Sequence, residues 1–547
     1  MKTQTIITIL TTLTLTLTSC EEFLKETNKS GLTSDPYYTT SEGVESLVNA
    51  CYTPLRYWYG REEASNFTAT GTDIVTKGAG HTNTPVNDYS TDFKADNGGL
   101  NNLWKWEYKA INFCNTALAR LQETEMDNKD LLTGEVSFLR AFYYWHVAEM
   151  WGKTHFTTEA SQGVITTANA TEVSVIYDQI FADLDVAIAN CPQEKERGGR
   201  ITGWAAKAFK ARMLLTRGEK AGAASLAKEV IAGPFDLFDD YKALWDMSNR
   251  EGSTNSEVIW YVNYSTNHLL NQELDNGTQI RNGGNNLHLM YAMKYDNQPG
   301  MTRDIENGRP FNRYMPTKYM LGLMDQANDQ RWAGSFKWIW TMNAPDNRGD
   351  EYPSMTDTAI WTLNGYATPE QRAWGKGRYQ IFDLDDVYEA DGSVKNRKQY
   401  VQIDKFSDPT RTSKNEDRSS RDAFVMRISE MYLIVAEGLM DSNPSEALDY
   451  LNRLRRKRAI PGHEAAMAVT ADALNIDFIL DERAREFIGE QLRWFDLKRT
   501  GKLVERVKAH NPDGAANINS GHLLRPYPQD FLDAITNKED FPQREDY

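Results

Sequence analysis

Five of the chain's fourteen tryptophans, Trp332, Trp338, Trp340, Trp361 and Trp374, fall within one stretch rich in Asn, Asp and Gly. That mixture has a chemistry. A pyranose ring presents axial hydrogens as an apolar face and hydroxyls as a rim of donors and acceptors. A site for it combines flat aromatic platforms with planar polar side chains. In "SFKWIWTMN" an extended backbone puts Phe336, Trp338 and Trp340 on one face. We expect Trp340 to be sheet core, and Trp332, Trp338 and Trp361 to be ligand platforms. Two other clusters have a similar composition. "TGTDIVTKGAGHTNTPVNDYSTDF" offers Asp73, His81, Tyr89 and Phe93 in a long loop, and "NNLHLMYAMKY" offers His288, Tyr291 and Tyr295.

Carboxylate chemistry is the other possibility. Glu482, Glu486 and Glu490 recur every four residues, which stacks them on one helix face. Arg483, Arg485 and Arg493 are interleaved with them, so helix-stabilising ion pairs explain the run more simply than catalysis. The basic run Arg453, Arg455, Arg456, Lys457, Arg458 reads as a solvated or charge-paired helix face. "DLDDVYEADG" is rich in oxygens but lacks the Gly and spacing of an EF-hand. No HExxH, GxSxG, P-loop or GxGxxG motif appears in a supporting context. We expect no enzyme, no cofactor and no metal site.

The elements that position these residues are mostly helical. "RDAFVMRISEMYLIVAEGLM" puts Ile428, Met431, Tyr432, Val435, Ala436 and Leu439 on one apolar stripe. Asn443, Pro444 and Glu446 then form a helix start, as cap, first-turn proline and capping-box acid. The next helix carries Ala447, Leu448, Leu451 and Leu454 and stops at Pro461-Gly462. The same hairpin layout recurs in "TGWAAKAFKARMLLTRGEKAGAASLAKEVI", where small residues flank a break at Gly218. It recurs again in 131–152 with 175–192, and in 41–58 with 101–122. Repeated pairs that bury a shared core are the signature of a helical solenoid. Polar segments at about 60–100, 250–300, 340–375 and 391–420 interrupt them, and loops that long are usually functional. "EVIWYVNYS" reads as a strand. The fold class is therefore mainly α, a tetratricopeptide-like helix-pair scaffold with an inserted loop-rich region containing short strands. The scaffold covers about 41–250 and 421–510, and the ligand region about 251–420.

The N-terminus says where the chain resides. "TTLTLTLTSC" alternates like a strand, but residues 6–17 are uncharged, follow Lys2 and are too short to span a bilayer. Leu17-Thr18-Ser19-Cys20 resembles a bacterial lipobox, so 1–19 reads as a signal peptide and Cys20 as the lipidated residue. Glu21-Glu22 resembles the surface-export signal of Bacteroidota lipoproteins. No later stretch approaches membrane-spanning length, which leaves lipid as the anchor. The net charge of −16 opposes nucleic-acid binding. Cys51, Cys114 and Cys191 are odd in number and match no zinc spacing, so we read them as buried apolar residues.

The chain resembles the SusD/RagB-type outer-membrane nutrient-binding lipoproteins along nearly its whole length. The carriers are "CEEFLKE", "TSEGVESLVNACYTPLR", "LWKWEYKAINFCNTAL", "EVSFLRAFYYWHVAEMWG" and "RITGWAAKAFKARMLL", then "RDAFVMRISEMYLIVAEGLM", "ALDYLNRLRRKRA", "ILDERAREFIGEQLRWFDLKRTG" and "LLRPYPQDFLDA". The resemblance implies helix pairs supporting a variable loop-rich half, and an oligosaccharide or polysaccharide ligand bound without catalysis. It implies a SusC-like TonB-dependent barrel as partner, over which the protein sits as a lid. Ligand contacts in the family often come from the loop holding Asp73 and Tyr89 and from the following helix, where Trp104 lies. Two other readings stay open. A surface glycosidase needs a separated carboxylate pair in a cleft, and a peptide-binding or structural surface protein would use the grooves between helix pairs.

Overall fold

The computed structural model describes residues 37–547 except 162, 272–273, 276–277, 280–283, 345–357 and 377. The signal segment 1–19 and Cys20 lie outside the described residues. The main helices are α1 (Ser41–Tyr52), α2 (Gly98–Glu123), α3 (Lys129–Trp151), α4 (Val173–Asn190), α5 (Gly203–Thr216) and α6 (Lys220–Ile231). After the loop-rich region, which holds α7 (Pro369–Gly375), come α8 (Ile428–Leu439), α9 (Pro444–Lys457) and α10 (Ile476–Phe487). The C-terminal part adds α11 (Arg493–Arg499), α12 (Leu503–His510) and α13 (Gln529–Ala534).

Each long helix packs on the next, α1 on α2 and so on through α6, and α6 then packs on α8 and α8 on α9. The expected helix pairs are thus present, and α6 meets α8 across the whole insertion. Small residues permit the approach. At Gly438 a Cβ would lie 2.7 Å from the Lys220 carbonyl and 3.0 Å from the Ala224 Cβ, so α8 and α6 could not close there around a larger residue. Asn443 caps α9 as expected, accepting from the Glu446 N–H at 3.4 Å. Glu446 departs from the expected capping box: its carboxylate accepts from the Asn443 side-chain amide instead of the cap backbone. Cys51, Cys114 and Cys191 are buried and unbridged.

One helix is shorter than its periodicity implies. Residues 423–427 form a strand that pairs antiparallel with Val258–Val262, and α8 begins only at Ile428. The segment AFVMR alternates well enough for a ladder, and the neighbouring strand, buried along its whole length, supplies the partner. Trp260 of that partner packs edge-on against Phe138 and Phe142 at 5.0 Å, which ties the sheet to α3.

Two large cores result. The helical core gathers Phe138, Phe142, Trp145, Phe209, Trp260 and Trp494. The second, in the loop-rich half, gathers Tyr291, Tyr314, Trp332, Phe336, Trp340 and Ile360. Buried charges line the seam between them. Arg427 reaches Glu486 at 2.9 Å, Glu490 at 2.8 Å and also Glu257; Arg458 reaches Glu486 at 2.8 Å and Glu257 at 2.5 Å. Arg331 reaches Asp329 at 2.7 Å and Glu482 at 2.8 Å. This corrects the local reading of the α10 glutamates. Glu482 and Glu486 are fully buried, and their partners come mostly from other elements. Of the two expectations for the basic run of α9, charge pairing holds at Arg458, buried in this network, and at Arg455, buried against Glu482.

Candidate functional site

The seven expected ligand contacts do not converge. Asp73 is fully buried and accepts from Arg493 at 2.7 and 2.5 Å and from Arg506 at 2.8 Å. Burial pushes its carboxyl up, but the two guanidiniums outweigh that and hold it below the usual carboxylate range. Tyr89 is buried with its hydroxyl donated to the Gly71 carbonyl at 2.9 Å. Tyr291 is buried between Tyr314 and Phe406. These three positions are interior: arginines from the far end of the chain hold Asp73, Gly71 of its own loop holds Tyr89, and the Tyr291 hydroxyl donates to the Gly489 carbonyl at 3.5 Å. Trp332 is buried too, its ring 5.1 Å from both Phe336 and Trp338. Trp338 is half-buried against the same core, so the expected Phe336, Trp338 and Trp340 face is the inner one. Of the other loop candidates, Phe93 and Tyr295 are fully buried and His288 is nearly so.

Trp361 is different. A three-stranded sheet joins Ile339–Thr341 antiparallel to Thr358–Thr362, which in turn runs parallel to Gln380–Phe382. The register places Trp361 beside Ile339 on one side and Ile381 on the other, so all three share a face. Ile360, one residue earlier, pairs with fully buried Trp340 and takes the core face. Trp374 extends the outer face, and Tyr379, itself buried, packs between the two rings, 6.2 Å from Trp361 and 5.2 Å from Trp374. Trp374 is 59% exposed.

Short-range chemistry fixes this platform. Thr368 and Gln371 form a capping box and Pro369 takes the first position of α7. Arg372 then binds Asp383 at 2.5 Å and Asp386 at 2.9 Å, which fastens α7 to the end of the adjacent strand. Gly375 lets the helix end close on the sheet, since a Cβ there would meet the Ile381 Cδ1 at 3.0 Å. The Arg378 guanidinium sits 5.0 Å over the Trp374 ring. The oxygens of "DLDDVYEADG" are used here: Asp383 caps Leu384–Val387 and joins Asp386 on Arg372. The density of tryptophan flagged this region. Ile339 and Ile381 were missed, because their place on the outer face follows from register across three separated segments.

Trp104 lies elsewhere, on the floor of a cleft of about 250 Å³ between α2, residues 155–168 and α13. Its ring is 4.6 Å from Tyr108 and 4.5 Å from Phe531. Nothing in the local sequence links Phe531 to Trp104, more than four hundred positions away. Eight large hydrophobic side chains are exposed among the described residues, and four of them border these two places. Ile339, Tyr366 and Trp374 belong to the sheet region, and Ile165 lines the cleft.

No helix among the described residues is long and apolar enough to cross a membrane. Residues 256–537 match the model of the SusD family, and residues 22–215 match a family described as starch-binding and associating with the outer membrane. Among similar proteins, "SusD-like protein P25" of Formosa agariphila is 25% identical, with 93% of each chain covered. A SusD-like protein of Bacteroides ovatus is 21% identical over 90% of this chain and 81% of its own. A laminarin-binding SusD-like protein superposes with a TM-score of 0.69 at 20% identity, covering 93% of this chain and all of its own. Surface glycan-binding protein A of Bacteroides thetaiotaomicron, solved with laminarihexaose, gives 0.67 at 20% identity, covering 93% and 100%. A helix-pair scaffold matched along almost its full length, with a family model spanning more than half the chain, leads to one conclusion: the chain belongs to the SusD family.

Proposed function

We propose that this protein is a glycan-binding lipoprotein of the cell surface, anchored in the outer membrane through Cys20. It captures oligosaccharides and passes them to a SusC-like TonB-dependent barrel. Family membership supports the class, and the names of the similar solved proteins make β-glucan oligosaccharides the first ligands to try. The observation that carries the site is the outer-face row of exposed Ile339 and half-buried Trp361 and Ile381, with exposed Trp374 nearby and buried Tyr379 packed between the two tryptophans. Such a surface matches the apolar face of successive sugar rings, and the polar turns around it face their hydroxyls. The acidic groups nearest the platform are engaged in capping and in holding Arg372, so they do not form a separated pair across a cleft.

The test is calorimetry with laminarihexaose, followed by the strongest hit from a glycan array. Stacking a nucleobase on an aromatic ring is worth ~1–3 kcal/mol, and a sugar face falls at the low end. Replacing Trp361 and Trp374 together by Ala should cost about 1.4 kcal/mol, a tenfold loss, with the melting temperature nearly unchanged. Unchanged affinity in that double variant would displace the platform, and a wild-type protein that binds no glycan would remove the reading itself. For the membrane arm, Cys20→Ala should release the protein from outer-membrane fractions and gentle affinity purification should recover the barrel. Recovery of the protein alone, with the barrel expressed, would count against delivery.

A further inference from the structure

The cleft over Trp104 has the attributes of a binding site separate from the platform. Its walls come from both ends of the chain and are clamped. The Thr536 N–H donates to the Thr166 carbonyl at 2.8 Å. The Asn537 side chain holds Ala168 through both its amide groups, at 3.0 and 2.8 Å. The strap 163–168 therefore stands over α2 without filling the space beneath it. Trp104 forms the floor, with Tyr108 and Phe531 as tilted walls.

The polar groups of the cleft are few and mostly spent. The Tyr108 hydroxyl is committed to Thr154 and the His155 carbonyl, and Asn115 to the carbonyls of Thr157 and Glu159. Two donors remain. The Nδ1 of His155 accepts from the Asn169 N–H at 2.8 Å, so the neutral ring carries its proton on Nε2. The Asn112 Oδ1 accepts from the Ser161 N–H at 3.0 Å, which leaves its amide N–H groups unassigned. Burial pushes the His155 imidazole below its ordinary range, and no Lys, Arg, Asp or Glu lines the space. At about 250 Å³ it falls just under the size of pockets that hold drug-sized ligands, and it has room for one ring.

We propose that this cleft is a second, independent binding site that takes a single uncharged pyranose ring. The apolar face of the sugar lies on the Trp104–Phe531 side, and its oxygens accept from His155 and Asn112. The reading does not depend on the sheet platform, and the two can fail separately.

The experiment is ligand-observed NMR on the purified protein with methyl β-D-glucopyranoside, phenyl β-D-glucopyranoside and methyl β-D-glucuronide. Both glucosides should bind, the glucuronide should not, and added salt should leave the result unchanged. Ala534 is exposed on the rim, so Ala534→Phe blocks the mouth without touching the core, and it should weaken glucoside binding at least tenfold. Asn112→Ala, a milder change, should weaken it several-fold. The Trp361→Ala, Trp374→Ala variant should bind the glucosides as the wild type does. Absence of binding by the wild type, or full binding by Ala534→Phe, overturns the site. Loss in the platform variant reassigns the signal to the sheet. Binding of the phenyl but not the methyl glucoside overturns the sugar assignment, and equal binding of the glucuronide overturns the uncharged one.

Discussion

Trp340 and Trp361 belong to adjacent strands of one small sheet and meet opposite environments. Trp340 pairs across from Ile360 and is fully buried among the side chains of the second core. Trp361, one residue beyond Ile360, faces outward between Ile339 and Ile381. In a pleated strand one step of register exchanges the faces, so residue type does not tell the two tryptophans apart. The same side chain closes a core in one case and offers a flat surface in the other. Stability and affinity should accordingly separate across the sheet.

The largest effect should come from the inner face. Trp340→Ala empties a closed site, and such truncations cost ~3–5 kcal/mol. Differential scanning calorimetry should show a clear fall in melting temperature, while glycan affinity per folded molecule stays at the wild-type value. An affinity loss larger than that of the Trp361 and Trp374 double variant would erase the distinction between faces.

Acid should break the seam before it touches the platform. Burial pushes the Glu482 carboxyl up, but Arg331, Arg455 and Arg485 more than reverse this and hold it at about 2, below the ordinary 4.5. A depressed carboxyl contributes stability that is complete above its unfolded value and is lost as pH falls through the folded one. For Glu482 that window runs from about pH 4.5 to pH 2, with roughly 3 kcal/mol at stake. Urea midpoints measured across this range should fall with pH. In Glu482→Gln the midpoint at pH 7 should already be low and the acid limb shallower. An acid limb of unaltered slope in that variant would remove Glu482 from the account.

The smallest effect belongs to the support of the platform. Thr368→Ala removes the cap of a seven-residue helix, worth about 1 kcal/mol. Because α7 lies on the outer side of the sheet, the loss should be local. Amide exchange over 369–375 should quicken with little change in melting temperature. Exchange rates equal to those of the wild type would mean that Arg372 and its aspartates hold the helix without the cap.

The limits of the sequence can be traced to particular residues. The stripe from Ile428 to Leu439, the Asn443 cap and the Ala-rich pair around Gly218 were legible, because helical periodicity and capping are local and repeat within a few residues. The strand 423–427 was absorbed into the helix that follows it, since its identity depends on Val258–Val262, over a hundred and sixty residues away. Asp73 has the composition of a sugar contact, and only Arg493 and Arg506, from the far end of the chain, make it an internal anchor.

The sequence by itself determined the helix pairs, the family and the clustering of tryptophan in 332–374, because each is written in local spacing or in composition. Which tryptophans face out was decided by strand register, and which carboxylates are interior by the meeting of two halves. The cleft under residues 163–168 exists only because the C-terminal segment returns to α2 and clamps the strap there. Those outcomes depend on contacts between separate segments, hundreds of residues apart in the case of the cleft, and no local pattern encodes the partner of such a contact.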